Sequence, residues 1–163
     1  MNTREATINL LLDEIKNGLV IGATGKISRE LFDLRIKRGE KTDDFYMQGS
    51  MGHALAIGLG VAMHTTKKVY VLNGDGGCLM RLGTLATHAK ISPSNLIHII
   101  LDNGCHDSTG GQDTSFRALS GYLPNIRIIQ VARGARKTLG RPTDAPSQIV
   151  QKFSQKIQKR SQV

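Results

Sequence analysis

The sequence has few aromatic residues, and this scarcity limits what the chain can bind. Its 163 residues include three Tyr, four Phe and no Trp. Proteins that hold single-stranded nucleic acids stack bases on aromatic side chains, and no such platform is evident here. The chain also lacks any run of about 18 apolar residues, so no segment is predicted to span a membrane.

Cysteine is scarce as well. The two residues, Cys78 and Cys105, cannot make the disulfide framework of a small secreted protein. The N-terminal stretch MNTREATINLLLDEIKNG carries acids and is typical of an amphipathic helix rather than a signal peptide. We therefore expect a cytoplasmic protein, and a length of 163 residues favours one domain with its own core.

Acidic residues are scarce in the C-terminal part of a chain that is basic overall. The net charge is +9, and from Arg133 onward eight Lys or Arg stand against one acid, Asp144. That part therefore contributes +7 and the rest of the chain +2. Such asymmetry can attract nucleic acid, an acidic partner chain or an anionic substrate. The alternative for residues 152–160 is a solvated helix without a binding role.

The spacing of apolar residues alternates between a strand period and a helix period, which predicts an α/β fold with a mostly parallel sheet. Strands are predicted at residues 19–23, 68–73, 95–103 and 126–132. Helices are predicted at residues 4–15, 28–37 with Ser28 as the N-cap, about 52–64, 78–90, in a short piece after the loop 104–115, and after residue 148.

Glycine-rich polar turns follow three of these strands. They are ATG at 23–25, GDGG at 74–77 and NGCHDSTGG at 103–111. Ligands of open parallel sheets bind beyond the carboxyl ends of the strands, so these turns should converge on one edge. The turns match neither common nucleotide motif, because Leu79 replaces the third glycine of a dinucleotide fingerprint and Ile27 follows Lys26 in the possible phosphate loop.

The turn 74–77 combines groups that suit a phosphate with one that repels it. Glycine N–H groups at a helix N-terminus attract a phosphate, whereas the carboxylate of Asp75 would repel it unless a cation lay between them. Asn103, at the end of the next strand, offers an amide oxygen for the same cation. The alternative for Asp75 is a turn aspartate that caps the following helix.

A GDG turn followed by an Asn at the end of the next strand resembles the motif of thiamine diphosphate enzymes. The wider sequence is similar to the diphosphate-binding (PP) domain of phosphonopyruvate decarboxylase and of the β subunit of sulfopyruvate decarboxylase. The resemblance covers about residues 3–153 and includes four segments in order: FYMQGSMGHALAIGLGVA, NGDGGCLMRLGTLAT, LDNGCHDSTGGQ and ARGARKTLGRPTDAP. It implies a three-layer α/β/α thiamine-diphosphate-binding fold, with residues 1–163 as a single PP domain.

The resemblance also implies roles for individual residues. Asp75 and Asn103 would ligate Mg²⁺ through their side chains, and Cys105 through its main-chain carbonyl oxygen. Other residues would contact the cofactor, as listed here: Thr24, Gly25, Gly49, Ser50, Met51, His53, Gly74, Gly76, Gly77 and Ser108. Among them, the Gly49 carbonyl would accept the cofactor's amino group, and Met51 would be the wedge that bends the cofactor.

Some of these roles have plain alternatives. Met51 could fill the core, and His106, the candidate proton donor or substrate contact together with His53, could be an ordinary surface histidine. The remaining histidines are predicted to be structural: His64, His88 and His98. The chain departs from the family at Asp102, where many relatives have Asn, and this adds negative charge near the metal.

The implied reaction is decarboxylation of 3-sulfopyruvate or 3-phosphonopyruvate to the corresponding acetaldehyde. Family members activate the cofactor with a Glu from a pyrimidine-binding (PYR) domain, and nothing in this chain resembles that domain. We therefore expect a hetero-oligomer in which an α subunit supplies the PYR domain. Four basic residues could hold the anionic substrate or face the partner: Arg133, Arg136, Lys137 and Arg141.

Three alternatives remain open on the sequence. The first is another thiamine-dependent 2-oxo acid decarboxylase or carboligase. The second is a non-catalytic relative that binds the cofactor and regulates a partner. The third is a basic nucleic-acid-binding module, which would not account for Asp75 and Asn103 at neighbouring strand ends.

Overall fold

A five-stranded sheet, parallel throughout, forms the centre of the molecule. The computed structural model describes residues 1–121, 123, 126–134 and 138–158. The mostly parallel sheet predicted from the sequence is confirmed. The strand order is β2-β1-β3-β4-β5, with strands β1 (Leu19–Gly22), β2 (Phe45–Tyr46), β3 (Val69–Gly74), β4 (Leu96–Asp102) and β5 (Ile126–Gln130).

Helices connect the strands and flank the sheet. Their bounds are α1 (Arg4–Ile15), α2 (Lys26–Lys37), α3 (Ala54–Ala62), α4 (Asp75–Leu79), α5 (Leu82–Ile91), α6 (Phe116–Ser120) and α7 (Pro146–Gln158). The predicted helix at 4–15 has the predicted bounds, whereas α7 begins three residues before the predicted start. Proline at the first position of α7 suits a helix start, because its missing N–H would have no helical partner there.

Three local predictions are wrong in detail. Ser28 does not cap α2, because the helix begins earlier, at Lys26 after the N-cap Gly25, and the Ser28 hydroxyl donates to the Gly22 carbonyl oxygen at 2.8 Å. The predicted helix at 78–90 is two helices, separated where Arg81 adopts φ −140° and ψ 52°. The strand β2 is absent from the predicted strands, because two residues are too few to show a strand period.

Helices α2 and α3 cover opposite faces of the sheet. Successive residues of a strand point to opposite faces of the sheet, so Ile21 and Gly22 of β1 lie on different faces. A Cβ atom at Gly22 would lie 3.2 Å from Leu31 Cδ2 in α2, and one at Gly58 in α3 would lie 3.7 Å from Ile21 Cδ1. The layering is therefore α/β/α, as the sequence resemblance implies.

Both faces of the central strands are buried, which explains their nearly continuous apolar sequence. Val69, Leu72 and Ile100 are fully inaccessible to solvent. In the described part of the chain, no helix has both the length and the apolar character needed to cross a membrane.

Two histidines are part of this buried layer. The rings of His88 in α5 and His98 in β4 pack edge to face, with centroids 6.0 Å apart. Among the described residues, neither ring nitrogen of His98 has a hydrogen-bond partner. Burial lowers the pKa of His98 to about 3, so its ring is neutral in the fold. The structure thus gives these two residues the structural role expected of them, while His64 lies exposed beyond α3.

Acid should destabilise the fold through His98. The ring takes up a proton near pH 6.5 in the unfolded chain but only near pH 3 in the fold, so stability is lost as the pH falls through this window. Between pH 7.5 and 5, this group should lower the free energy of unfolding by about 2 kcal/mol. Urea unfolding of wild type and of His98→Leu should show that difference, because leucine does not titrate.

The control is His64→Asn, which leaves the buried His98 in place, so this variant should still show the loss of stability that His98 causes. Parallel loss of stability by wild type and His98→Leu between pH 7.5 and 5 would contradict the prediction.

Candidate active site at the carboxyl edge of the sheet

A cavity of about 270 Å³ lies beyond the carboxyl ends of β1, β3 and β4. Its walls are the three turns that follow these strands, residues 23–27, 73–77 and 103–109, with Arg4, Met51 and Gly52 completing the lining. The third wall starts at Leu101, near the end of β4, and continues with Asn103 and Cys105 of the loop that follows. The predicted convergence of the glycine-rich turns on one edge is therefore confirmed.

Most of the predicted site residues line this cavity. They are Thr24, Gly25, Met51, Gly74, Asp75, Gly76, Gly77, Asn103, Cys105, His106 and Ser108. Three predicted cofactor contacts do not line it. Gly49 and Ser50 line a neighbouring apolar groove, and His53 holds its Nδ1 atom 3.0 Å from the Ser50 carbonyl oxygen.

Sheet register brings the two candidate metal side chains together. Gly74 of β3 pairs with Leu101 of β4, so Asp75 and Asn103, the first residues after the two strands, lie one step apart in register. Both line the cavity. Both side chains are 3% exposed. The Asp75 carboxylate accepts a hydrogen bond from the Thr114 hydroxyl at 2.5 Å, a partner that lies 39 residues away and that the sequence did not indicate.

Asn103 is held at both ends of its amide. Its Oδ1 accepts a hydrogen bond from the Cys105 N–H at 3.2 Å, and its Nδ2 donates to Asp107 Oδ2 at 2.7 Å. These two contacts fix the orientation of the amide, and so the position of its oxygen. The Asp107 carboxylate is thus a positioning group for a candidate metal ligand.

A buried network of ion pairs holds Asp107 in place. Arg4, the first residue of α1, donates to Asp107 Oδ2 at 2.9 Å and makes two hydrogen bonds to Glu30 of α2, at 2.7 and 3.1 Å. Although burial opposes ionisation, hydrogen bonds from Arg4 and Cys105 hold the pKa of Asp107 below its ordinary value. The network spans 103 residues of sequence, so no local pattern could have indicated it.

The thiol of Cys105 is protonated. Burial and its hydrogen bond to Asp107 raise the pKa of the Cys105 thiol to about 11. The thiolate that a soft metal would require is therefore disfavoured at neutral pH. The main-chain carbonyl of Cys105 is the group that suits a magnesium ion.

The additional charge expected from Asp102 is compensated away from the cavity. Asp102 does not line the cavity, and its carboxylate accepts hydrogen bonds from Arg117 Nε and Gly104 N–H, both at 2.8 Å. Arg117 therefore balances the additional negative charge of Asp102.

His106 and Met51 meet above the first turn of α4. A Cβ atom at Gly76 would lie 2.6 Å from the His106 ring and 3.5 Å from Met51 Cε, so only glycine allows this approach. Met51 is 38% exposed, which argues against a role as core filler. Positive φ angles on both sides of Met51, at Ser50 and Gly52, shape the loop that carries it.

The donor set of the cavity fits a magnesium ion bound with a diphosphate. Carboxylate, amide and main-chain carbonyl oxygens are the ligands that Mg²⁺ prefers. The N–H groups of Gly76 and Gly77 lie in the first turn of α4, and Lys26, which the sequence reasoning missed, lines the opposite wall. Across the described residues, no group of three or more His, Cys, Asp or Glu is arranged for a metal, so the mixed oxygen set is the candidate.

Comparison with known proteins identifies the family. Residues 21–163 match the model of the C-terminal TPP-binding domain of thiamine pyrophosphate enzymes. The chain belongs to this family. Thiamine pyrophosphate, also called thiamine diphosphate, is therefore the cofactor of this fold, and the cavity at the carboxyl edge is the part of the chain that fits it.

Individual relatives of this TPP-binding chain include decarboxylases. It is 40% identical to phosphonopyruvate decarboxylase of Streptomyces hygroscopicus, over 93% of this chain and 45% of the relative. It is 45% identical to the sulfopyruvate decarboxylase subunit beta of Methanothermobacter thermautotrophicus, over 70% of this chain and 60% of the relative. The corresponding subunit of Methanocaldococcus jannaschii is 42% identical, over 59% of this chain and 49% of the relative. The chain thus spans about half the length of these relatives.

Asp107 should control the affinity of the site for Mg²⁺ without contacting the ion. Replacing it with alanine frees the Asn103 amide to rotate, and loss of such an outer partner typically weakens metal binding about 10- to 100-fold. Calorimetric titration of Asp107→Ala with Mg²⁺, at saturating thiamine diphosphate, should show this loss.

The matched control is Asp113→Ala, which removes a carboxylate from the same loop. Asp113 pairs with the exposed Arg133 and does not touch Asn103. Equal losses of Mg²⁺ affinity in both variants would refute the positioning role, and urea unfolding of both variants separates a loss of fold from a loss of metal.

Proposed function

We propose that this chain is the PP-domain (β) subunit of a thiamine-diphosphate-dependent decarboxylase. Its substrate is 3-sulfopyruvate or 3-phosphonopyruvate, and its products are CO₂ and the corresponding acetaldehyde. The observation that carries the proposal is that Asp75 and Asn103, which follow the neighbouring strands β3 and β4, line the same cavity. The names of the relatives, phosphonopyruvate decarboxylase and sulfopyruvate decarboxylase subunit beta, supply the substrate class.

Each wall of the cavity has a task in this proposal. Asp75, Asn103 and the Cys105 carbonyl hold Mg²⁺, while the amides of Gly76 and Gly77 hold the diphosphate. The residues that surround these groups are Thr24, Gly25, Lys26, Gly74 and Ser108. When bound, the cofactor supplies the electron sink that makes loss of CO₂ possible.

The proton transfers of the reaction fall to this chain and its partner. His106 lies in the cavity beside Met51, where its imidazole can hold or release a proton next to the substrate. Met51 would be the wedge against the bound cofactor. His53, with Gly49 and Ser50, lies outside the cavity lining and would contact a part of the cofactor that extends beyond the cavity.

A partner with a PYR domain completes the site in this proposal. The cavity of about 270 Å³ is smaller than typical small-molecule sites, which measure roughly 300–1,000 Å³, so it suits part of the cofactor. Among the residues that the structure describes, no glutamate lines the cavity, and the buried Glu30 is paired with Arg4. The relatives named subunit beta agree with an assembly of two kinds of chain.

The basic surface favours the decarboxylase over a nucleic-acid-binding module. Several of its cations pair with acids of the same chain: Arg133 with Asp113, Lys152 with Asp144, and Lys156 with Asp43 and Asp44. Paired cations release few counterions from a nucleic acid. Two of the four basic residues considered for substrate or partner contact, Arg136 and Lys137, lie outside the described residues.

Cofactor binding tests the site directly. Calorimetry should show that the chain binds thiamine diphosphate with Mg²⁺, and that Asp75→Ala lowers this affinity by at least about 100-fold, more than loss of an outer partner would. Asp13→Ala, which removes a carboxylate that pairs with Arg38 on the surface, should bind normally. Retention of full affinity by Asp75→Ala, or salt-dependent binding of DNA without cofactor binding, would overturn the proposal.

Mixing experiments test the divided active site. The chain alone should show negligible decarboxylation of either substrate, because it lacks the glutamate that activates the cofactor. Addition of a polypeptide with a PYR domain from the same genome should restore turnover, measured as CO₂ release. Full turnover by the chain alone would disprove the division, and turnover of other 2-oxo acids only would point to the alternative decarboxylase or carboligase.

A further inference from the structure

A second cavity, of about 340 Å³, lies on the other side of the turn that follows β1. Thr24 and Gly25 line both cavities, so the two cavities adjoin at this turn. The Gly49 N–H donates to the Thr24 hydroxyl at 2.8 Å and ties this wall to the loop that carries Met51. The second cavity is therefore joined to the candidate cofactor site by shared residues.

Two arginines give the second cavity its charge. Arg29 of α2 and Arg141 both line it, and no acidic residue in the described part of the chain does. Within the residues that the structure describes, neither guanidinium forms a hydrogen bond or an ion pair. This contrasts with the neighbouring cations Arg133, Lys152 and Lys156, each of which pairs with a carboxylate.

The backbone around the arginines adds to the positive potential. The 12-residue helix α2 begins at this cavity, and its N-cap Gly25 has no side chain to occupy the first N–H groups. On the opposite wall, Gln48 donates to the Asp144 carbonyl oxygen at 3.0 Å, which holds the segment after Arg141 against the loop 47–49. Two guanidinium groups without a counter-charge, in one cavity, form a site for a tetrahedral oxyanion.

We propose that this cavity binds the terminal sulfonate or phosphonate group of the substrate through Arg29 and Arg141. The inference rests on the proposed function, because it assigns the second anionic group of the proposed substrate. The two cavities adjoin at Thr24 and Gly25, which places this anion site beside the candidate cofactor site. Arg29 and Arg141 are thus specificity-determining residues, separate from those that hold the cofactor.

Small anions with the same head group test the site on the chain alone. Methanesulfonate and methylphosphonate are titrated while the NMR signals of the arginine Nε–H groups are followed. The signals of Arg29 and Arg141 should shift in a saturable manner, and Arg29→Gln and Arg141→Gln should each weaken binding about 10- to 100-fold, as loss of a charged hydrogen bond does. The anion that binds more tightly identifies the head group.

The matched control is Arg127→Gln, which removes an exposed arginine that pairs with Glu14 far from both cavities. It should bind the two anions as wild type does. Equal anion binding by all variants, or no saturable shift of Arg29 and Arg141 in wild type, would overturn the inference. In the assembled enzyme, the same arginine variants should raise KM for the substrate more than they lower kcat.

A separate measurement distinguishes failure of this inference from failure of the proposed function. Arg29→Gln and Arg141→Gln should bind thiamine diphosphate and Mg²⁺ with wild-type affinity, because neither residue lines the first cavity. Cofactor binding without anion binding would refute only the proposed anion site in the second cavity. Anion binding without cofactor binding would refute the proposed decarboxylase function and indicate a general oxyanion site.

Discussion

The parallel pairing of β3 with β4 is the constraint on which the candidate site depends. Because Gly74 lies opposite Leu101, the two strands end within one residue of each other in register, and Asp75 and Asn103 line the same cavity. A shift of one residue in this register would turn alternate side chains to the other face of the sheet. The buried apolar residues of both strands prevent that shift, so the hydrophobic core sets the geometry of a polar site.

A chain of buried charges then fixes the orientation of the polar groups. Arg4 joins Glu30 to Asp107, and Asp107 in turn holds the Asn103 amide. Buried ions are stable only when they are paired and hydrogen-bonded, so each member of this chain restrains the next. The N-terminal helix thereby contributes to the site although only its first residue reaches the cavity. Folding of α1 onto α2 is part of assembling the metal ligands.

The charges of the molecule divide into those that are satisfied within the chain and those that are left for ligands. The acidic residues pair with most of the neighbouring cations, including Asp102 with Arg117 next to the site. Lys26 faces the first cavity, and Arg29 and Arg141 face the second. A basic composition thus becomes a local arrangement of cations beside a thiamine pyrophosphate site, which suits a cofactor and a substrate that both carry negative charge.

The sequence by itself determined the alternation of strands and helices, the three glycine-rich turns and the family, because apolar period, turn residues and motif order are local along the chain. The turn residues indicated Asp75 and Asn103, and the resemblance to the family indicated Cys105 and His106. Tertiary structure alone decided the partners of these residues: Thr114 lies 39 residues from Asp75, and Arg4 lies 103 residues from Asp107. Tertiary structure also decided that α2 begins before Ser28 and that His53 does not line the cavity. Contacts between distant segments depend on packing and register, which no short stretch of sequence encodes.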